Sequence, residues 1–210
     1  EIHISVAGLG NKTLSRTSPN TTTILSFLYS TIMALALTTA VGKILAPTQY
    51  VGRGLFEIPA KELVLFVTFL FVAIPFYHGA VLALVKALDT GATSGRGGQM
   101  IMTFSALLLE ALLFYAMAAS VNSILNFTSW FACLMLTDVA WIALIHASGG
   151  TAQDAPPAWA VINFGMLFFL VWFWNFADDS LARHVLLFSA VVVRTILDYY
   201  VSRKYYMPGD

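Results

Sequence analysis

Five ionisable residues stand inside long apolar stretches of the sequence, where charged side chains are rare. They are His78, Glu110, Asp138, Arg194 and Asp198. An ionised group at the centre of a bilayer costs at least about 2.5–3.5 kcal/mol, so such groups face one another or a polar cavity. The sequence therefore predicts a proton or cation pathway, a polar cavity for a substrate headgroup, or a buried ion-pair layer that holds helices together.

Spacing from a predicted hairpin tip puts the first two acids at one depth. Glu110 precedes Ile124, near that tip, by fourteen residues, and Asp138 follows it by fourteen. At a rise of 1.5 Å per residue, both lie about 20 Å from the tip. We therefore expect Glu110 and Asp138 to lie at similar depth, in one layer of the bundle.

Arg194 has two ways of being neutralised. It follows Asp179, in a turn on the same membrane side, by fifteen residues, which brings it to the depth of the two acids. In an ion-pair layer, its planar guanidinium bridges Glu110 and Asp138. Asp198 lies four residues later on the same helix face, so a local ion pair is the alternative.

Pro75 lies three residues before His78. Counting from the loop on the opposite membrane side places His78 at the depth of the two acids. Pro75 removes a backbone hydrogen bond and kinks its helix, and Gly79 allows a close approach. Such a kink either opens a cavity beside His78 or is an ordinary bend, since proline is frequent in transmembrane helices.

The densest polar run holds the only metal candidates, which are Asp178, Asp179 and His184. Acidic residues at this place also suit the N-terminus of a helix, where they complement the helix dipole. We expect helix capping, with Ser180 or Asp179 as the N-cap, and no metal. No cofactor is predicted, although we expect bound lipids.

Composition defines the elements that must position these residues. Apolar residues make up 59% of the 210 residues, charged residues make up 10%, and the mean hydropathy is +0.79. A soluble protein carries about 25% charged residues. The sequence therefore predicts an all-α, polytopic transmembrane helix bundle.

About six spans reach the length of roughly 20 residues that a bilayer requires. They are Ile24–Ile44, Leu63–Val85, Met100–Val121, Trp130–Ala147, Trp159–Phe176 and Val185–Val201. Span five is slightly short for a bilayer, and a re-entrant segment is its alternative. A polar tail over 1–21 precedes the transmembrane domain of 22–202, and 203–210 form an interfacial tail rich in tyrosine and basic residues.

Connections between the spans carry turn-forming residues. The stretch 91–98 is rich in glycine and predicts a flexible loop, and 122–129 predict a tight turn. Pro157 is expected to start span five. The basic residues near span ends divide six against four, which favours both termini on the cytoplasmic side.

Three classes of function remain open. A zero net charge argues against a nucleic-acid partner. A transport or channel component that uses the polar residues, and a non-catalytic accessory subunit of a membrane complex, are favoured over an intramembrane lipid-modifying enzyme. Since six spans are few for a lone transporter, we expect a homo-oligomer or other membrane subunits as partners, besides membrane lipids.

Overall fold

The structure is a bundle of helices, as the composition predicts. The computed structural model describes residues 19–45, 58–94, 97–152, 154–175 and 178–206, and every regular element in these ranges is a helix. The helices are α1 (Pro19–Ile44), α2 (Ala60–Ser94), α3 (Gly97–Ala119), α4 (Ile124–Ala147), α5 (Pro157–Phe173), α6 (Leu181–Val201) and the short α7 (Arg203–Tyr206). Five of them are long and apolar enough to cross a membrane, and α5 is a shorter apolar helix. The chain is therefore a multi-pass integral membrane protein.

Five helices form a closed ring, and the sixth packs outside it. Around the ring, α2 contacts α3, α3 contacts α4, α4 contacts α5, α5 contacts α6, and α6 returns to α2. Helix α1 packs on α2 and α3. Large aromatic side chains fill much of the interior, including Phe69, Phe114, Phe127 and Phe131, while many large apolar side chains point outward, as the lipid-facing surface of a membrane protein requires.

Contacts between loops and helix ends define two ends of the bundle. At the Lys61 end, Lys61 at the start of α2 pairs with Asp179, which directly precedes α6. At the Lys86 end, the Lys86 ammonium lies over the Tyr205 ring of α7. Which of these ends faces the cytoplasm stays a prediction.

Helix α5 runs between these two ends. Near its start, Trp159 packs edge-on against Tyr205 at the Lys86 end. Just after its last residue, the Trp174 indole donates to Thr128, in the first turns of α4 at the Lys61 end. Helix α5 therefore does not turn back as a re-entrant segment would. Its 17 residues give a length of about 25 Å, slightly less than a bilayer core.

The turn between α3 and α4 is shorter than predicted, because α4 begins at Ile124 instead of Trp130. Ser123 is the N-cap, and its side chain accepts a hydrogen bond from the Asn126 amide. The Thr128 hydroxyl, which lies in the predicted turn, instead donates to the Ile124 carbonyl one turn earlier. Polar residues that bond to their own helix in this way do not end it.

Two helices extend beyond their predicted bounds. Helix α1 begins at Pro19, although its apolar part long enough to cross a membrane is Ile24–Ile44, as predicted. Proline is well suited to the first position of a helix; residues 1–18 lie outside the described ranges. Helix α2 continues to Ser94, so the predicted loop over 91–98 is reduced to residues 95 and 96, which are likewise outside those ranges. Glycine in a helix costs about 1 kcal/mol relative to alanine, which does not prevent the helix.

The bend-forming Pro75 lies inside α2 and is compensated by a neighbouring helix. Proline has no N–H, so the carbonyl of Phe71, four residues earlier, loses its partner within the helix. The Thr195 hydroxyl of α6 donates to this carbonyl at 3.0 Å. This hydrogen bond joins α2 to α6 next to Arg194.

Candidate functional site

A small polar cavity lies at the centre of the ring, and all five ring helices contribute to its wall. Its volume is about 30 Å³, which is room for about two water molecules. Three acidic side chains and one basic side chain line it: Glu110, Asp138, Asp198 and Arg194. Three carboxyl groups therefore share the cavity with one guanidinium, and full ionisation would leave two negative charges uncompensated.

Asn163 of α5 links Arg194 to Asp138. The Asn163 carbonyl oxygen accepts from Arg194 Nη2 at 2.8 Å and from Nε at 3.2 Å. The amide nitrogen of Asn163 donates to the Asp138 carboxylate. The guanidinium also lies 4.7 Å from the centre of the Phe76 ring. One amide thus connects α4, α5 and α6 in the interior.

Asp198 occupies the cavity wall nearest the Lys86 end. Arg194 Nη1 lies 3.9 Å from its carboxylate, one helical turn away. The Tyr206 hydroxyl donates to the same carboxylate at 3.3 Å. Gly79 of α2 lies beside this contact, and a Cβ there would be 3.4 Å from the Tyr206 hydroxyl oxygen, an ordinary van der Waals distance.

His78 does not line the cavity and packs in an aromatic cluster beside it. Its ring stacks on Tyr206 with centres 4.8 Å apart. Its Nδ1 lies 3.4 Å from the Tyr199 hydroxyl. His78 is half-buried and therefore lies between Tyr206, in the cavity wall, and the surface of the protein. In the described part of the C-terminal segment, Tyr205 and Tyr206 turn inward and do not lie at the surface as an interfacial tail would place them.

Among the acids of the cavity, Glu110 alone has no hydrogen bond or ion pair with another side chain of the described residues. It is 2% exposed, and its Oε1 has no hydrogen-bond partner among the described residues. Arg194 Nη1 also has no hydrogen-bond partner there, although it lies near Asp198. A buried, unpaired polar atom is costly and often marks a site where water or a ligand binds.

The predicted ionisable residues are therefore brought together in part. Glu110, Asp138, Arg194 and Asp198 share the cavity, whereas His78 lies beyond Tyr206. Arg194 does not bridge Glu110 and Asp138 directly among the described contacts, because the Asn163 amide lies between Arg194 and Asp138. The i, i+4 pairing with Asp198 is present.

The sequence indicates an interhelical hydrogen bond for Asn163 but not its partners, and it does not indicate the role of Tyr206. Asn163 is a polar residue in the middle of an apolar span, which is a signal for an interhelical hydrogen bond, but nothing in the sequence names its partners. Tyr206 follows the last long helix and reaches the cavity because α7 folds back. Trp141, which lies three residues after Asp138 and also lines the cavity, donates to Thr103 at 3.3 Å.

The metal candidates lie at the Lys61 end and are engaged in other contacts. Lys61 Nζ is 3.0 Å from an Asp179 carboxylate oxygen, and His184 Nε2 is 3.7 Å from the other. The hydrogen bond from Lys61 lowers the pKa of Asp179 from its usual value. Ser180 is the N-cap of α6, since its hydroxyl accepts from the Arg183 amide. Within the described ranges, no group of three or more His, Cys, Asp or Glu side chains is placed to hold a metal ion.

Comparison of the chain with protein-family models, with curated proteins and with solved structures gives no match. Its class is defined by the architecture alone, which is that of a multi-pass helical membrane protein.

Proposed function

We propose that this protein is a proton-transport or proton-channel component in which Glu110 is the exchangeable proton site. The observation that carries the proposal is the placement of Glu110. Its carboxyl group is buried in the membrane-spanning ring, has an unpaired oxygen, and faces a cavity that also contains Asp138, Asp198 and Arg194. Such a group is stable when it holds a proton and can release it only to water or to another acid in the same cavity.

The size and charge of the cavity favour a proton over a larger ion. A volume of about 30 Å³ leaves no room for a cation with its hydration shell, and Arg194 in the wall repels cations. A dehydrated metal ion needs several oxygen ligands, whereas the Asp138 and Asp198 carboxylates already accept hydrogen bonds. A lipid headgroup is also too large, so the geometry supports a lipid-modifying enzyme less well.

A flux assay tests the proposal. The purified protein is reconstituted into liposomes that contain a pH-sensitive dye, and a potassium gradient with valinomycin sets the membrane potential. The wild-type protein is expected to change the internal pH faster than protein-free liposomes do. Glu110→Gln keeps the shape of the side chain but cannot exchange a proton, so its flux is expected to fall to the protein-free level.

Asp179→Asn is the matched control, because it also converts a carboxylate to an amide but lies at the Lys61 end, outside the cavity. Its flux is expected to equal that of the wild type. Equal flux in Glu110→Gln and the wild type would overturn the role of Glu110. No flux above protein-free liposomes in the wild type would overturn the proposal as a whole.

An accessory subunit of a membrane complex is the second candidate, and the outer face of α5 favours it. This helix is short and presents a row of large, exposed apolar side chains: Val161, Phe164, Phe168, Val171 and Trp172. A partner helix or a second copy would cover this row as well as lipid does. Purification in a mild detergent tests the candidate, since a single monodisperse chain without a co-purifying partner would count against it.

A further inference from the structure

We infer that the central cavity is a binding site for one or two ordered water molecules that join Glu110 to Arg194. The site has the two features that internal water requires, which are sufficient volume and at least two polar partners. Its volume is about 30 Å³, above the roughly 10–15 Å³ that one water molecule needs.

The unpaired polar atoms of the wall provide those partners. Glu110 Oε1 and Arg194 Nη1 both line the cavity and both lack a hydrogen-bond partner among the described residues. These side chains are 2% and 6% exposed. The Trp159 indole also lines the cavity, where it interacts with the Asp198 carboxylate.

The chemistry of these atoms selects water over other small ligands. Arg194 Nη1 is a donor, whereas the carbonyl oxygen of a protonated Glu110, like either oxygen of an ionised one, is an acceptor. A ligand that pairs with both must accept and donate hydrogen bonds at once, and water does both. A simple anion would satisfy Arg194 but be repelled by the three carboxyl groups, and a simple cation would be repelled by Arg194.

This water also provides a path for proton transfer between two acids of the cavity, Glu110 and Asp198. The Glu110 O–H bond breaks as a new O–H bond forms to the water oxygen, and one O–H bond of that water breaks as its proton binds the Asp198 carboxylate. The water is regenerated, and one proton has moved from Glu110 to Asp198. This role in proton transfer depends on the proposed function, whereas the binding of water does not.

X-ray radiolytic labelling of the full-length protein in nanodiscs tests the water site. Hydroxyl radicals form from water, so a buried side chain is labelled when a bound water lies next to it. Phe76 lines the cavity, while Phe127 is a buried residue of the same type in the apolar core and does not line the cavity. Phe76 is expected to be labelled several-fold faster than Phe127.

A cavity-filling variant separates bound water from residual exposure. Ala83 lines the cavity, so Ala83→Leu is expected to displace the water and lower the labelling of Phe76 to that of Phe127. Ala143→Leu adds the same volume on an exposed face of α4 and is expected to leave the labelling unchanged. If Ala83→Leu impairs folding, the smaller change Ala80→Val, also in the cavity wall, makes the same test and is likewise expected to lower the labelling of Phe76.

The outcomes distinguish the water site from the proposed function. Equal labelling of Phe76 and Phe127 in the wild type would overturn the water site, even if the protein conducts protons. Fast labelling of Phe76 in a protein that shows no proton flux would support the water site and overturn the proposed function. Flux in Ala83→Leu equal to the wild type, with the labelling lost, would overturn the role of the water in proton transfer.

Discussion

Replacing Asn163 with alanine tests whether a single amide holds the interior of the bundle together. The side chain accepts two hydrogen bonds from Arg194 and donates one to Asp138, so Asn163→Ala removes three. Hydrogen bonds between transmembrane helices contribute about 0.6 kcal/mol on average and up to about 1.7 kcal/mol. Three such bonds correspond to a loss of about 2–5 kcal/mol in the free energy of unfolding.

The upper part of this range is expected, because the groups that lose their partner are ionisable and buried. A charged group that stays buried after its partner is removed costs about 3–5 kcal/mol in comparable networks. Arg194 keeps its 3.9 Å approach to Asp198, which limits the loss. Entry of water into the space left by the amide would further reduce the loss in the free energy of unfolding.

The measurement is equilibrium unfolding of the purified protein in mixed micelles with increasing SDS, followed by tryptophan fluorescence. Asn175→Ala is the control, because it makes the same substitution just after α5, where the Asn175 amide donates only to carbonyls of its own helix. The control is expected to change the free energy of unfolding by less than about 0.5 kcal/mol. If both variants unfold at the same SDS concentration, the amide bridge does not stabilise the bundle and the reasoning is refuted.

Two further predictions concern the ring and its Lys61 end. Thr195→Val removes the hydroxyl that donates to the Phe71 carbonyl and is expected to lower the free energy of unfolding by about 0.6–1.7 kcal/mol. Ser189→Ala is the control, because the Ser189 hydroxyl bonds within its own helix, and it is expected to leave the free energy of unfolding nearly unchanged in the same assay. Equal effects of the two variants would contradict the interhelical role of Thr195. Lys61→Gln is expected to raise the pKa of Asp179 towards its usual value, because the hydrogen bond from Lys61 lowers it. Because the pKa of Asp179 is lower in the folded protein than in the unfolded one, its contribution to stability is present above the unfolded pKa and is lost as the pH falls through the folded pKa. NMR titration of Asp179 in the wild type and in Lys61→Gln measures the two folded-state pKa values. Identical titration curves would show that Lys61 has no effect on Asp179.

Much of the architecture follows from local features of the sequence. The low charge content and the long apolar runs predict the helical membrane class, and five helices are long and apolar enough to cross a bilayer, with α5 as a shorter apolar helix. Turn positions also predict depth, because the rise of a helix is constant. Glu110 and Asp138 meet in one cavity, as counting from Ile124 predicts.

The errors at helix boundaries have local causes as well. Polar residues after Ser123 suggest a turn, yet the hydroxyl of Thr128 bonds to a carbonyl of its own helix and fits inside α4. Glycines after residue 90 suggest a loop, yet α2 continues to Ser94. In both places, the cost of a poor helix former is small compared with the gain from continuing the backbone hydrogen bonds of the helix.

The sequence by itself determined the class, the approximate spans and the depth of the acidic residues, because these depend on composition and on a fixed rise per residue. Only the tertiary structure decided which side chains on different helices contact one another. The rotation of each helix about its axis, which packing sets, brings Asn163 between Arg194 and Asp138 and leaves an oxygen of Glu110 unpaired. The fold-back of α7 likewise brings Tyr206 to Asp198, from a position that the sequence assigns to a tail.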